Sequence, residues 1–434
     1  MKAGLLEALR RVPDGSAHGY VLKGGKALLP GKKEAQSADI FITGDGSIGA
    51  VDANLSAPPQ TAVIDIANLL ISPGFIDAHQ HLDKTGTLKF APNPSGTLQG
   101  ARDAFAAYAR RAPPGDVTAR ASRTMRRCLA RGTTAIRSHV NVDKDAGFSG
   151  LEQLCRLRSL CADRLVLQLV AFMIPHPNQD LDWLEANIDA AVAQADAVGG
   201  TPAVAEDPDR YLDVLFKAAA RHGRPVDLHL DEHLNPERPL FDHVFERIRR
   251  HGLQGKVVLS HASVLSALPR ERFERIRDEM AALDVGVITL PAANLYLQGR
   301  SHDLLPPRGL TRVAQLARSG VAIATASDNI QDPFVPTGSG DMLEIARWTL
   351  LAGHLHASEL DLAYSMITET PARLMNLKGY GIAPGARADL VVSDCPDVET
   401  LVAGGPDQFV VLAKGRPISS SPLGQEEPAL SGSA

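Results

Sequence analysis

The chain is 434 residues long, 44% hydrophobic and 22% charged, with a formal net charge of −5. That balance argues against nucleic acid or an anionic membrane surface as partner, and no apolar run reaches the length needed to cross a bilayer. Four cysteines (Cys128, Cys155, Cys161 and Cys395) form no CxxC pair, which argues against a cysteine metal site and fits reduced thiols in a cytoplasmic protein.

The opening, MKAGLLEALRRVPDG, sets a short apolar stretch ahead of Arg10 and Arg11, the reverse of the order in a secretory signal. To about Ile71 the chain is rich in short β-prone runs, GYVLKGGKALL, ADIFITGDGSIGAV and AVIDIANLLI, broken by glycine-containing turns. ADLVVSDCP and QFVVLAKGRPI near the other end read alike. Both ends therefore predict one small β-domain, residues 1–71 with 378–434, around a separate domain over 72–377. In that middle part ISPGFIDA, TTAIRSHV, RLVLQLVAF, RPVDLHLDEH, GKVVLSHAS, VGVITLPA and VAIATASDN recur as strand-like runs. Amphipathic stretches such as LDVLFKAAARHG, RERFERIRDEMAALD and RVAQLARSG lie between them. Strand-then-helix alternation predicts an α/β fold, a (β/α)8 TIM barrel, with a doubly wound open sheet as the alternative. The final SPLGQEEPALSGSA has the small, polar and acidic composition of a disordered tail.

Chemistry-bearing side chains gather at the ends of the strand-like runs, where barrel enzymes place catalysis. ISPGFIDA ends in His79, Gln80 and His81; residues two apart on a strand share a face, so the two imidazoles suit one metal ion. TTAIRS leads into His139, which either lines the site or packs. RPVDLHLDEH offers His229 as a third nitrogen ligand and Glu232 as a carboxylate able to move protons, with Asp231 and His233 as rivals. His261 ends KVVLSHAS and reads equally well as a hydrogen-bonded structural residue or a catalytic one. Asp328 ends VAIATASDN as an oxygen ligand, a base or a turn residue. His354 and His356 fall two apart on a helical stretch and so point to different faces. His18, His176, His222, His251 and His302 read as loop or surface residues. There is no glycine-rich phosphate cradle, and the GSG at Gly338 to Gly340 lacks the frame of a nucleophile elbow.

Together these residues resemble the amidohydrolase superfamily, in its cytosine deaminase-like and N-isopropylammelide aminohydrolase-like branch. The resemblance runs from about Ala38 to Arg416 and rests on SPGFIDAHQHLDKT, SGTL at Ser95, AIRSHVNVD, LVLQLVAF, VDLHLDEH, LSHAS, NLYLQGR, GLTRV, SDNIQDPFVPTGSGDML and NLKGYGIAPGARADLVV. It implies His79, His81, His229 and Asp328 as metal ligands, and Glu232 as the carboxylate that carries protons between water and substrate. His261 becomes the histidine that polarises the attacked carbon or steadies the tetrahedral adduct. The terminal β pieces correspond to the family's small β-sandwich. The cofactor implied is one divalent ion, zinc or iron, because the mid-barrel stretch ADAVGGTPAVAED holds no lysine to bridge a second. The partner implied is a small-molecule substrate, bound by a homo-oligomer.

Three positions depart from cytosine deaminases. Ile174 stands where they carry a glutamine for the pyrimidine amide edge, Asn329 follows Asp328 where they carry a second aspartate, and Phe334 replaces a tryptophan. With Leu82 beside the histidine pair, these are the expected substrate-facing positions. An isoleucine offers no hydrogen bond to a pyrimidine, and losing such a partner costs orders of magnitude in discrimination. The expected activity is therefore hydrolytic deamination of a small nitrogen heterocycle other than cytosine, in a more apolar pocket. The alternative is an amidase or N-dealkylating aminohydrolase that releases an amine. A non-catalytic scaffold is a third reading, and it would have lost metal ligands that are all retained here.

Overall fold

The computed structural model describes residues 2–10, 18–175 and 181–418. The expected disordered tail and His176 lie outside the described residues. Eight strands run in one sheet in strict chain order: β1 (Phe75–Gln80), β2 (Thr133–Val142), β3 (Val166–Met173), β4 (Ala197–Gly200), β5 (Val226–Leu230), β6 (Val257–His261), β7 (Gly286–Thr289) and β8 (Ile323–Thr325). Every pairing is parallel. A doubly wound sheet would reverse its strand order in the middle; this one instead closes on itself. A parallel bridge joins Gln80 at the end of β1 to Asp328 beyond β8. Across that seam the Asp328 N–H donates to His79 O at 2.9 Å, and the His81 N–H donates to Asp328 O at 3.0 Å.

The strands are short, rich in Val, Ile and Leu, and buried on both faces, as a parallel sheet under covering helices requires. One face packs outward: Leu228, Leu230, Leu259 and Val287 join helix residues such as Leu215, Phe245 and Ile276 in the main core. The other face fills the barrel, where Ile76, Ala78, Val258, Ile288 and Ala324 cluster. The helices carry their own stop signals. In Pro208–His222, Asp207 caps the start by accepting from the Arg210 N–H, proline holds the first turn, and Gly223 ends it at φ 62°. The Met342–Ala352 helix stops before Gly353, so His354 and His356 lie past its end instead of on it, with His354 at φ 54°.

Strands from both ends of the chain form a second eight-stranded sheet. Leu70–Pro73 from the first part pairs antiparallel with Leu390–Ser393 from the last. Its core gathers Leu22, Ile40, Ile42, Leu390, Val392 and Leu412, with Leu6 and Leu9 of the opening Lys2–Arg10 helix packed in. No helix among the described residues is long and apolar enough to cross a membrane.

Candidate active site

β1 supplies the first two imidazoles through an irregularity. Its register against β2 shifts between Asp77 and Gln80. Ala78 packs inside the barrel; His79, its neighbour in sequence, reaches the same interior, where its Nδ1 meets Ser260 Oγ at 2.8 Å. The outward pair, Gln80 and Asp77, bond each other at 2.8 Å. Alternation resumes after the shift, so His81 points inward beside His79 and Leu82 points outward into the main core. β5 sends His229 inward. Asp328 follows β8 at φ 62°, and His261 ends β6 at φ 64°. Left-handed backbone is costly for residues other than glycine and recurs where a side chain must be aimed.

Three ring nitrogens and one carboxylate oxygen converge. His229 Nε2 lies 3.1 Å from His79 Nε2 and 3.0 Å from His81 Nε2. Asp328 Oδ1 lies 3.5 Å and 3.3 Å from the same two histidine nitrogens. All four residues are buried, and their ligand atoms lie within 4.8 Å of one another. Burial and the nearby Lys84 ammonium push His81 down to about 4, and burial with the surrounding histidines holds His229 well below its ordinary value. Burial works against ionisation of Asp328, yet the neighbouring His79, His81 and His261 imidazoles hold its carboxyl well below the usual range. Three imidazole nitrogens packed about 3 Å apart around a carboxylate oxygen are the arrangement a cation between them would hold together. Asp328 Oδ1 indeed has no hydrogen-bond partner among the described residues. Nitrogen and oxygen ligands about 2.0–2.2 Å from a zinc-sized ion sit at about these mutual spacings, so the donor set fits a divalent metal.

The supports behind the ligands are charged and buried. His79 leans through Ser260 on Asp227, whose Oδ1 accepts from Ser260 Oγ at 3.3 Å and whose Oδ2 accepts from Arg137 at 2.9 Å. His81 Nδ1 meets the His139 carbonyl at 3.1 Å. Such outer partners fix which ring nitrogen faces the metal. Asp77 accepts from the Ser327 N–H at 3.0 Å and so pins the turn that carries Asp328. His139 is buried and stacks on the His79 ring, centroids 3.9 Å apart, with Asp227 at 3.6 Å. A second potential ligand group, His79, His139 and Asp227, shares His79 with the first, and its Asp227 is already paired with Arg137.

Above the ligands opens a cavity of about 210 Å³. His81, His229 and Asp328 form its floor, and Glu232 and His261 stand on its wall. Burial and the Asp328 carboxylate push Glu232 up to about 8. Burial pushes His261 down to about 3. His261 Nδ1 lies 3.1 Å from Asn294 Nδ2 and 3.7 Å from Glu232 Oε1, and its Nε2 lies 3.9 Å from Asp328 Oδ2. The rivals of Glu232 face elsewhere: Asp231 accepts from the Leu240 N–H at 2.8 Å, and His233 lies beside it at 3.6 Å. Ile174, Asn329 and Phe334 line the cavity; Leu82 does not, because the alternation after His81 turns it away from the barrel interior. The wall also carries residues that sequence reasoning missed, among them Lys84, Arg102, Phe105, Asn141 and Phe172. Lys84 and Asn141 sit inside the quoted motifs, but Arg102 and Phe105 lie on the Leu98–Ala109 helix, which no strand-end rule singles out.

The Amidohydrolase family profile matches residues 117–407, more than half of the chain. The chain belongs to the amidohydrolase family. It is a hydrolase of carbon–nitrogen bonds other than peptide bonds, from the branch that holds the cytosine deaminase-like and ammelide-hydrolysing enzymes. A pterin deaminase of Rhizobium rhizogenes (strain K84) is 32% identical over 397 residues, covering 90% of each chain. The 5-methylcytosine deaminase of Klebsiella pneumoniae, solved with 5-fluorocytosine, superposes with a TM-score of 0.83 at 27% identity, over 92% of this chain and 97% of that one. The N-isopropylammelide isopropylaminohydrolase of Burkholderia multivorans does so with a TM-score of 0.77 at 30% identity, over 92% and 98%.

Proposed function

We propose that this amidohydrolase deaminates a small nitrogen heterocycle other than cytosine, at a single divalent ion held by His79, His81, His229 and Asp328. The observation that carries the reading is the convergence of those four ligand atoms at the base of one cavity, floored by His81, His229 and Asp328, whose wall bears Glu232 and His261. A divalent ion there supplies Lewis acidity, lowering the pKa of water from near 16 toward about 7, and zinc and ferrous iron both suit the donors. One ion is preferred because the end of β4 offers Gly199, Gly200 and Thr201, none of them a ligand for a second.

The protein's own groups then move the protons. Asp328, ionised and facing both floor and cavity, accepts a proton from the attacking water at Oδ2. Glu232, pushed up to about 8, holds a proton at neutral pH and delivers it to the substrate nitrogen. His261 stays neutral. With Asn294 donating to its Nδ1, its proton sits on Nε2, and that nitrogen has no hydrogen-bond partner among the described residues. It is free to donate to the oxygen added at the attacked carbon. Water and the amino heterocycle become the oxo heterocycle and ammonia. Ile174 on the cavity wall leaves a cytosine amide edge without a partner. The likeness to an isopropylaminohydrolase supports a second reading, in which the same groups expel an alkylamine.

The test is a panel of pterins, triazines, cytosines and cyclic amides assayed for ammonia and for amine. Chelation should abolish turnover and added zinc or ferrous iron should restore it. Full activity in a sample shown by elemental analysis to be metal-free would end the proposal.

A further inference from the structure

Three cations line the cavity: Lys84, Arg102 and Arg110. Two of them have partners. Lys84 donates to Asn141 Oδ1 at 2.8 Å and lies 3.6 Å from Asp83 Oδ1, and Arg110 lies 3.6 Å from Asp145. Arg102 makes no hydrogen bond and no ion pair among the described residues. Burial pulls its guanidinium below its ordinary value, and the carboxylates that act on it are Glu232, across the cavity, and Asp103, the next residue on its own helix.

Arg102 is built into a face. Leu98, Arg102, Phe105, Ala106 and Ala109 of the Leu98–Ala109 helix all line the cavity, at helical spacing. Ala106 and Ala109 line the cavity with small side chains, and Phe105 and Phe334 supply apolar walls. Arg102 is half-buried, and a guanidinium held partly out of water with no ion-pair partner among the described residues is left with unused donors. Its fixed fork of donors matches a carboxylate in two-point contact. The metal ligands sit on the barrel floor, and Arg102 sits on a helix outside the barrel strands.

We propose that Arg102 anchors a carboxylate on the substrate, so that the substrate class is a planar nitrogen heterocycle bearing a carboxylate. The ring lies between the aromatic walls, with its reacting C–N bond toward Glu232 and His261 and its carboxylate toward the helix. This names the substrate class for the aminohydrolase reading above and rests on that reading for which end reacts.

The test measures binding and turnover separately, on metal-loaded enzyme. Calorimetry compares pyrimidine-5-carboxylate with its neutral isostere pyrimidine-5-carboxamide. The carboxylate should bind at least about thirtyfold tighter, the scale of a charged pair removed from water. That ratio should collapse in Arg102→Gln, checked by unchanged metal content and melting temperature, and return in part in Arg102→Lys. Equal affinity for the two ligands, absence of binding by both at millimolar concentration, or an undiminished ratio in R102Q would each overturn the anchor. Ammonia release from matched amino heterocycles with and without a carboxylate then separates the two ideas. Equal kcat/KM for both removes the anchor and leaves the deaminase. A binding preference with no ammonia or amine from any compound keeps the anchor and removes the deaminase.

Discussion

Glu232 owes its proton to its surroundings: burial disfavours its charge, and the Asp328 carboxylate adds repulsion, so the group is pushed up to about 8. Replacing it with glutamine keeps the shape and removes the transferable proton. Glu232→Gln should retain the metal, measured by elemental analysis, and slow turnover at least about a hundredfold, the scale of a general acid–base group. Wild-type rates in that variant would strip Glu232 of its role and return attention to Asp231. The structure already speaks against Asp231, which turns Oδ2 to the Leu240 N–H and does not line the cavity. Sequence could place Glu232 near the site because it follows a histidine-bearing strand. It could not choose among three adjacent polar residues, because that choice is made by the turn after β5, where Asp231 takes φ 49°.

At the level of single elements, β4 shows how tightly the wall is fitted. A methyl group on Gly200 would lie 2.0 Å from the Tyr211 hydroxyl. That hydroxyl accepts from the Thr201 N–H at 3.0 Å and also donates to the Met173 carbonyl, tying the end of β3 to the end of β4. Gly200→Ala should therefore destabilise the protein by about 1–3 kcal/mol, the usual cost of overpacking, and lower activity by displacing Thr201 on the cavity wall. Adding Tyr211→Phe removes the clashing oxygen. The double variant should lose less than the sum of the singles in denaturant unfolding, and strict additivity would refute the clash. This strand was also the least legible. Seven barrel strands announce themselves as apolar runs, whereas Ala197–Gly200 is four residues long and half glycine, selected for close packing instead of β propensity. The histidine pair on β1 is legible by alternation, and the same alternation one residue further turns Leu82 out of the cavity into the main core. The register shift that brings Ala78 and His79 to one side has no signature in the sequence. Arg102 stayed hidden because it reaches the site from a helix between strands, by tertiary placement alone.

On the scale of the whole molecule, the barrel is closed at its weakest seam. β8 is three residues long, and its junction with β1 is bridged at Gln80 and Asp328. The proposed ligands straddle that seam, with His79 and His81 on one side, Asp328 on the other and His229 across the barrel. An ion bound there ties three strand ends that are far apart in sequence, and it binds the folded chain in preference to the unfolded one. At a hundred to a thousand times its dissociation constant it should add about 3–4 kcal/mol of stability. Chelation should lower the melting temperature, and Asp328→Ala should remove the dependence on metal. The loosening should be local as well as global. The amides of His81 and Asp328, which donate across the seam at 3.0 Å and 2.9 Å, should exchange hydrogen faster after chelation, while those of β2 and β3, paired along eight consecutive positions, keep their protection. Uniform exchange with and without metal would mean that the ion, if bound, is held somewhere other than the mouth of the barrel.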